Sequence, residues 1–156
     1  MSNTLKIWQR MQSQPGGKWL FSRLVTFKAP YFRSIRPQFD ELEPNRCRIH
    51  IPKRRAVQNH LGTVHAIAMC NMAELAGGTM TEVSVPATHR WIPKGMEVAY
   101  LKKAETDLVA VASPAAGTDW TQTGEHQVHV EVRDTREQLV FRATIAMWVS
   151  PKKPRA

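Results

Sequence analysis

The chain reads as an α+β domain: one long apolar helix beside a sheet of antiparallel strands. Three observations predict it. The segment from about Thr63 to Ala76 is apolar on nearly every side, as a helix is when something covers it all round. After it come four or five segments with the character of strands, most alternating apolar and polar residues with a period of two. Two of these runs are separated only by Asp134-Thr135-Arg136-Glu137, a short polar turn that makes a hairpin.

At the N-terminal end, Leu5, Ile7, Trp8 and Met11 sit at helical spacing, as do Trp19, Leu20, Arg23 and Leu24, and Pro15-Gly16-Gly17 breaks the two pieces. Pro30, Pro37 and Pro44 punctuate the next stretch, so residues 1–45 read as an extension of two or three short helices. Arg46 to Ile51 alternates and reads as a strand. The central helix is expected to stop at Gly77-Gly78. Glu82 to Val85 reads as a short strand ending at Pro86. Further strands are expected around Met96–Tyr100, Leu108–Ala112, Val128–Val132 and Leu139–Val149. The main domain is therefore 46–150, and 151–156 is a short basic tail, expected to fray.

Composition narrows the classes. With 156 residues, 42% hydrophobic and 22% charged, the chain suits one globular domain. No run of eighteen apolar residues occurs, and the first residues lack a signal peptide's apolar core, so a cytoplasmic protein with no membrane partner is expected. Cys47 and Cys70 have no CxxC spacing and are expected to be reduced, buried thiols. The six histidines form no zinc or iron signature, so no metal site is expected. The net charge of +9 fits a nucleic acid or an anionic small ligand. The cations are scattered and no helix-turn-helix or aromatic RNA motif is present, which argues against nucleic acid.

The chemistry concentrates in Asn59-His60-Leu61-Gly62-Thr63-Val64-His65 and in Glu74, nine residues further on. A carboxylate inside so apolar a helix is expected to be buried, and an unpaired buried carboxylate is costly. Burial would raise its pKa towards a general base's range. The helix N-terminus at Thr63–Ala66 offers free backbone N–H groups to a developing oxyanion. Each residue also has a plain structural role open to it. Asn59 can cap a turn, His65 can be a hydrogen-bonded structural histidine, Gly62 can serve a tight turn, and Glu74 can pair across an interface. Nine residues at about 100° and 1.5 Å each put His65 and Glu74 half a turn and about 13 Å apart on one helix. They can meet only across two copies with antiparallel helices, so the chemistry calls for a dimer with two shared sites.

Asn59, Gly62-Thr63, His65 and the helical acid at 74 together resemble the hotdog-fold acyl-CoA thioesterases, most closely the phenylacetyl-CoA thioesterase branch. The resemblance covers roughly Arg46 to Ser150. It implies a hotdog fold, in which a curved antiparallel sheet wraps a long central helix, here with extra N-terminal helices. It implies Glu74 as base or nucleophile, with Asn59 and His65 as its catalytic partners. Gly62, Thr63 and Ala66 would contact the substrate, and coenzyme A phosphates need cations, for which Arg90 and Lys102 are candidates beside Lys94, Lys103, Arg133, Arg136 and Arg142. Coenzyme A would enter only as part of the substrate, with no other cofactor. The chain departs from many relatives in having Ala66-Ile67 where they carry two glycines, and Glu where this branch carries Asp. The fold also serves non-catalytic acyl-CoA or fatty-acyl binders and enoyl-CoA hydratases. Met69, Met72 and the aromatics Trp8, Trp19, Phe21, Phe27, Tyr31 and Phe32 are the candidate lining of an acyl tunnel. A homodimer is expected, with pairing into tetramers left open.

Overall fold

The computed structural model describes residues 2–153, built around one six-stranded antiparallel sheet. The strands are β1 (Gln38–Glu43), β2 (Arg46–Ile51), β3 (His89–Tyr100), β4 (Leu108–Pro114), β5 (Gly124–Asp134) and β6 (Leu139–Pro151). They lie in the order β1-β2-β4-β5-β6-β3, so β1 and β3 are the edges. Helices α1 (Asn3–Met11) and α2 (Gly17–Lys28) precede the sheet, and α3 (Ala66–Ser84) crosses it in contact with all six strands. Short 3-10 turns occupy Pro30–Ile35 and Arg55–Val57. A curved sheet around one long helix is the hotdog fold.

The period-two pattern places the core. Ile49 and Ile51 of β2, Leu108 and Ala110 of β4, Val128 and Val130 of β5 and Phe141 and Ile145 of β6 are all sealed from solvent, together with Met69, Met72, Ala73, Ala76 and Met80 of α3. Each large apolar side chain buried this way contributes roughly 1.5–3 kcal/mol. The β5–β6 hairpin turns where expected. The Asp134 carboxylate accepts the Arg136 and Gln138 N–H groups, both at 2.9 Å, and Glu137 takes the left-handed conformation at φ 60.

Several expectations need correction. The central helix starts at Ala66 rather than Thr63, and it runs through Gly77-Gly78 to Ser84. A Cβ at Gly77 would lie 2.8 Å from Ile145 Cδ1, and one at Gly78 3.2 Å from the Trp91 ring. These glycines let the helix press against β6 and β3; they do not end it. The Glu82–Val85 strand does not exist, because that stretch is the last turn of α3 and its C-cap. β3 begins at His89, well before Met96, and absorbs Pro93 with a register shift between Pro93 and Gly95. An edge strand tolerates proline because its outward N–H needs no partner.

The segment 1–45 also holds β1, which pairs with β2. Its register shift between Phe39 and Glu41 leaves Phe39 and Leu42 buried three residues apart, which hides the alternation. The Ser2 hydroxyl caps α1 by accepting the Leu5 N–H. Trp8, Phe21 and Phe39 then stack edge to face at 5.0 and 5.2 Å, sealing both helices to β1. Cys47 is buried as expected, but Cys70 is only half-buried. In the basic tail, Lys152 is tied down. Its N–H donates to Thr88 O and its Nζ to Ala87 O. The rest of that tail, 154–156, lies outside the described residues. Among the described residues no helix is long and apolar enough to cross a membrane.

Candidate active site

The loop before α3 is held by Asn59. Its Oδ1 accepts the Leu61 and Thr63 N–H groups at 3.0 and 3.2 Å, and its Nδ2 donates to Thr63 Oγ1 at 2.9 Å. Backbone bonds from Asn59 N–H to Thr63 O and from Gly62 N–H to Asn59 O close the turn. Gly62 sits at φ 74, a left-handed geometry that favours glycine. Asn59, Gly62 and Thr63 therefore build the loop, and most of the Asn59 carboxamide is committed to it.

His65 is the N-cap of α3. Its N–H donates to Val57 O at 2.7 Å, and its Nδ1 accepts the Ile67 N–H at 3.0 Å. An accepting Nδ1 puts the ring proton of a neutral imidazole on Nε2. The Ile67 and Ala68 N–H groups are both satisfied by His65. The Ala66 N–H has no acceptor among the described residues, which leaves one open donor at the positive end of the helix dipole. Beside it is a cavity of about 190 Å³ that includes Tyr31, Gln58, His65 and Asn71. Asn71 is 7% exposed, donates from Nδ2 to Ser34 Oγ, and has no partner for its Oδ1 among the described residues.

Glu74 corrects the expectation of a buried carboxylate. It is exposed, and it makes no hydrogen bond or ion pair among the described residues. It lies on a stripe with the exposed Ile67 and the half-buried Cys70, whose Sγ lies 3.4 Å from the Tyr100 hydroxyl of β3. Two cavities meet at it. One, of about 440 Å³, runs along the helix face formed by Glu74, Leu75, Gly78, Thr79 and Glu82 and is closed by Val25, Phe32, Trp91 and Met147. The other, of about 260 Å³, lies towards Pro93, Lys94 and Met96 of β3. At the far end of the larger cavity the Trp91 Nε1–H donates to the Glu82 carboxylate at 2.9 Å, fixing the indole as a wall.

His65 and Glu74 are thus brought to opposite sides of one helix and do not meet within the chain. Arg90 and Lys102 are also far apart. They flank the two ends of β3, roughly 35 Å of strand at about 3.3 Å per residue. Arg90 Nε donates to Ser150 Oγ and Lys102 Nζ to Gln138 Oε1. Of the candidate tunnel lining, only Phe32 reaches the Glu74 cavity and Tyr31 the His65 cavity. Trp8, Phe21, Met69 and Met72 are plain core, and Trp19 and Phe27 face outwards. Sequence reasoning missed Trp91 and Gly78. The only signal for them is a glycine inside a helix, which marks a close approach once the helix is known to continue. Among the described residues no group of histidine, cysteine or acidic side chains is placed to hold a metal.

Comparison with known proteins returns the same architecture. A family model described as a domain of unknown function, DUF4442, matches residues 17–149. A structural-genomics protein is 49% identical, with a TM-score of 0.85 over 96% of this chain and 98% of its own. A Pseudomonas aeruginosa protein of unknown function, described as a probable thioesterase, is 20% identical, with a TM-score of 0.74 over 84% of this chain and 93% of its own. A thioesterase family protein from Silicibacter pomeroyi is 16% identical, with a TM-score of 0.72 over 84% and 96%. Comparison with curated proteins gives no match.

Proposed function

The chain belongs to the DUF4442 family, and we propose that it hydrolyses acyl-CoA thioesters at two sites shared across a homodimer interface. The observation that carries this reading is the placement of Glu74: an exposed carboxylate without a partner among the described residues, at the mouth of an apolar cavity of about 440 Å³. A cavity of that size lies within the usual ~300–1,000 Å³ of small-molecule sites. Solved structures described as a probable thioesterase and a thioesterase family protein share the fold, which supports the same class of chemistry.

The site is completed by a second copy. Antiparallel packing of two α3 helices brings the Ala66 N–H of the partner subunit towards Glu74 and covers the Ile67–Cys70–Glu74 stripe. Glu74 then takes a proton from water as the water oxygen attacks the thioester carbonyl carbon. The oxyanion accepts the Ala66 N–H and gains from the helix dipole. When the intermediate collapses, the C–S bond breaks and Glu74 returns the proton to the sulfur, leaving a carboxylic acid and the coenzyme A thiol. The acyl group occupies the cavity between α3, α2 and Trp91. His65, committed through Nδ1, offers its Nε2–H to the substrate side.

The test is thiol release from a panel of acyl-CoAs by wild type beside Glu74→Ala, with the mutant's melting temperature measured. Turnover that falls by roughly 10²–10⁴ in a folded mutant is expected for loss of the general base. Wild-type turnover on no acyl-CoA, with acyl-CoA binding retained, would assign the protein as a non-catalytic binder. The Asn59 carboxamide, mostly committed to its own loop, favours that second reading.

A further inference from the structure

We propose that the outer face of α2 and the 3-10 turn after it lie on an anionic phospholipid surface. Two independent observations point there. The first is apolar exposure. Trp19 is 58% exposed, Leu24 47%, Phe27 86% and Tyr31 71%, with Leu20 beside them at 46%. Residues 20, 24 and 27 are four and three apart, the spacing of one helix face. The opposite face, with Gly17, Phe21, Ser22 and Thr26, is buried in the protein. Protein therefore holds α2 on one side, while on the other it bares a contiguous band of large apolar side chains, the kind of patch that marks an interaction surface.

The second observation is charge. Residues 2–36 contain Lys6, Arg10, Lys18, Arg23, Lys28, Arg33 and Arg36 and no Asp or Glu. The other 15 cations stand against all 13 acids, so seven of the nine net charges belong to this one layer. None of the seven makes a side-chain ion pair among the described residues. Lys18 and Arg23 donate to backbone carbonyls of Asp40 and Pro37, and Arg23 also lies over the Trp19 ring. Bulky apolar side chains interleaved with cations of a single sign are what a helix lying in the headgroup plane needs. A nucleic acid would use the cations but has no place for Leu20 and Leu24. The absence of a spanning helix does not bear on a helix that lies flat.

Val25, Lys28 and Ala29 of the same segment line the Glu74 cavity, so a docked α2 would place that cavity beside the lipid.

The test is co-sedimentation of the full chain with vesicles of phosphatidylcholine alone and of phosphatidylcholine with phosphatidylglycerol, at low and high salt. Binding to the anionic vesicles, weak on phosphatidylcholine and reduced by salt, is expected. Leu24→Ser with Phe27→Ser should lower partitioning roughly tenfold or more at unchanged melting temperature. Arg10→Gln and Arg33→Gln should each lower it about fivefold. Failure of the wild type to sediment with anionic vesicles at low salt would overturn the proposal, as would equal binding by the double variant. So would a drop in oligomer mass of that variant by sedimentation velocity, which would assign the face to a second copy. Binding to duplex DNA without binding to vesicles would also overturn it.

Discussion

The two ends of the candidate site differ in how much of their polar chemistry is already used. At the start of α3, Asn59 and Thr63 satisfy one another and the loop backbone, His65 Nδ1 caps the Ile67 N–H, and the main-chain donor left open is the Ala66 N–H. Two turns along, Glu74 has no partner among the described residues and sits where two cavities meet. One end is a scaffold that aims a backbone group, and the other is a reactive side chain held in reserve. A side chain at the first end should therefore matter chiefly through the loop it holds, and a side chain at the second through the reaction alone. The hydrogen-bonded polar groups of the first region, part of them shielded from solvent, cost stability when their partners are removed. An exposed carboxylate in the second costs little when removed.

The sharpest way to break this comparison is Ala66→Pro. Position 66 is the first residue of α3, where proline is well tolerated, and His65 already has the extended ψ of 140 that a following proline requires. The substitution deletes the open N–H and leaves every other side chain in place. A fall in kcat of about 10²–10³ with an unchanged melting temperature is expected for loss of one oxyanion donor. Mixing this variant with Glu74→Ala should then recover about a quarter of wild-type turnover, because each mixed dimer carries one intact site. Unchanged kcat in Ala66→Pro would remove the backbone donor from the mechanism. No recovery on mixing would remove the shared site.

Asn59→Ala tests the scaffold side. It deletes three hydrogen bonds of the loop and leaves the Leu61 and Thr63 N–H groups to find other partners. A loss of about 1–3 kcal/mol of unfolding free energy is expected by denaturant titration, given the usual cost of orphaned donors. Activity should fall in proportion to loop disorder and respond to lower temperature. If Asn59→Ala abolished turnover with stability intact, Asn59 would belong with the reacting groups and the two regions would not divide as described.

The range of the forces involved decides which features the chain reveals by itself. The alternation Val128–Val130–Val132 and Phe141–Ala143–Ile145 is local, and it marks β5 and β6 directly. The nine-residue separation of His65 and Glu74 is also local geometry, and the structure keeps the two apart as helix pitch requires. Gly77 is different. It suits a helix stop and a close helix–sheet contact equally well, and only the position of Ile145 decides between them. The bulge in β1 and the proline in β3 hide one edge strand and the first half of the other for a similar reason, since edges relax the rules that make central strands legible. The exposure of Glu74 is not legible in the sequence, because helix composition does not say which stripe the chain leaves uncovered.

The smallest expected effect comes from a polar pair remote from both regions and serves as their control. His50 on β2 places Nδ1 2.9 Å from Asp40 Oδ2, with Arg48 Nε 3.8 Å from the same oxygen. The hydrogen bond to Asp40 raises the His50 pKa above its ordinary 6.5, against the opposing effects of partial burial and Arg48. A raised folded pKa means that the folded state holds the proton more tightly. The pair's contribution is therefore complete below the unfolded pKa and is lost as pH rises through the folded one. Both side chains are partly exposed, so solvent screening should keep the contribution below about 1 kcal/mol. Wild type should accordingly lose a small part of its stability advantage over His50→Gln between mildly acidic and mildly alkaline pH, with kcat equal in the two proteins throughout. A stability difference that is flat with pH would show that the pair is not ionic. A change in kcat would extend the reacting region to the far edge of the sheet, where the division between scaffold and chemistry leaves no place for it.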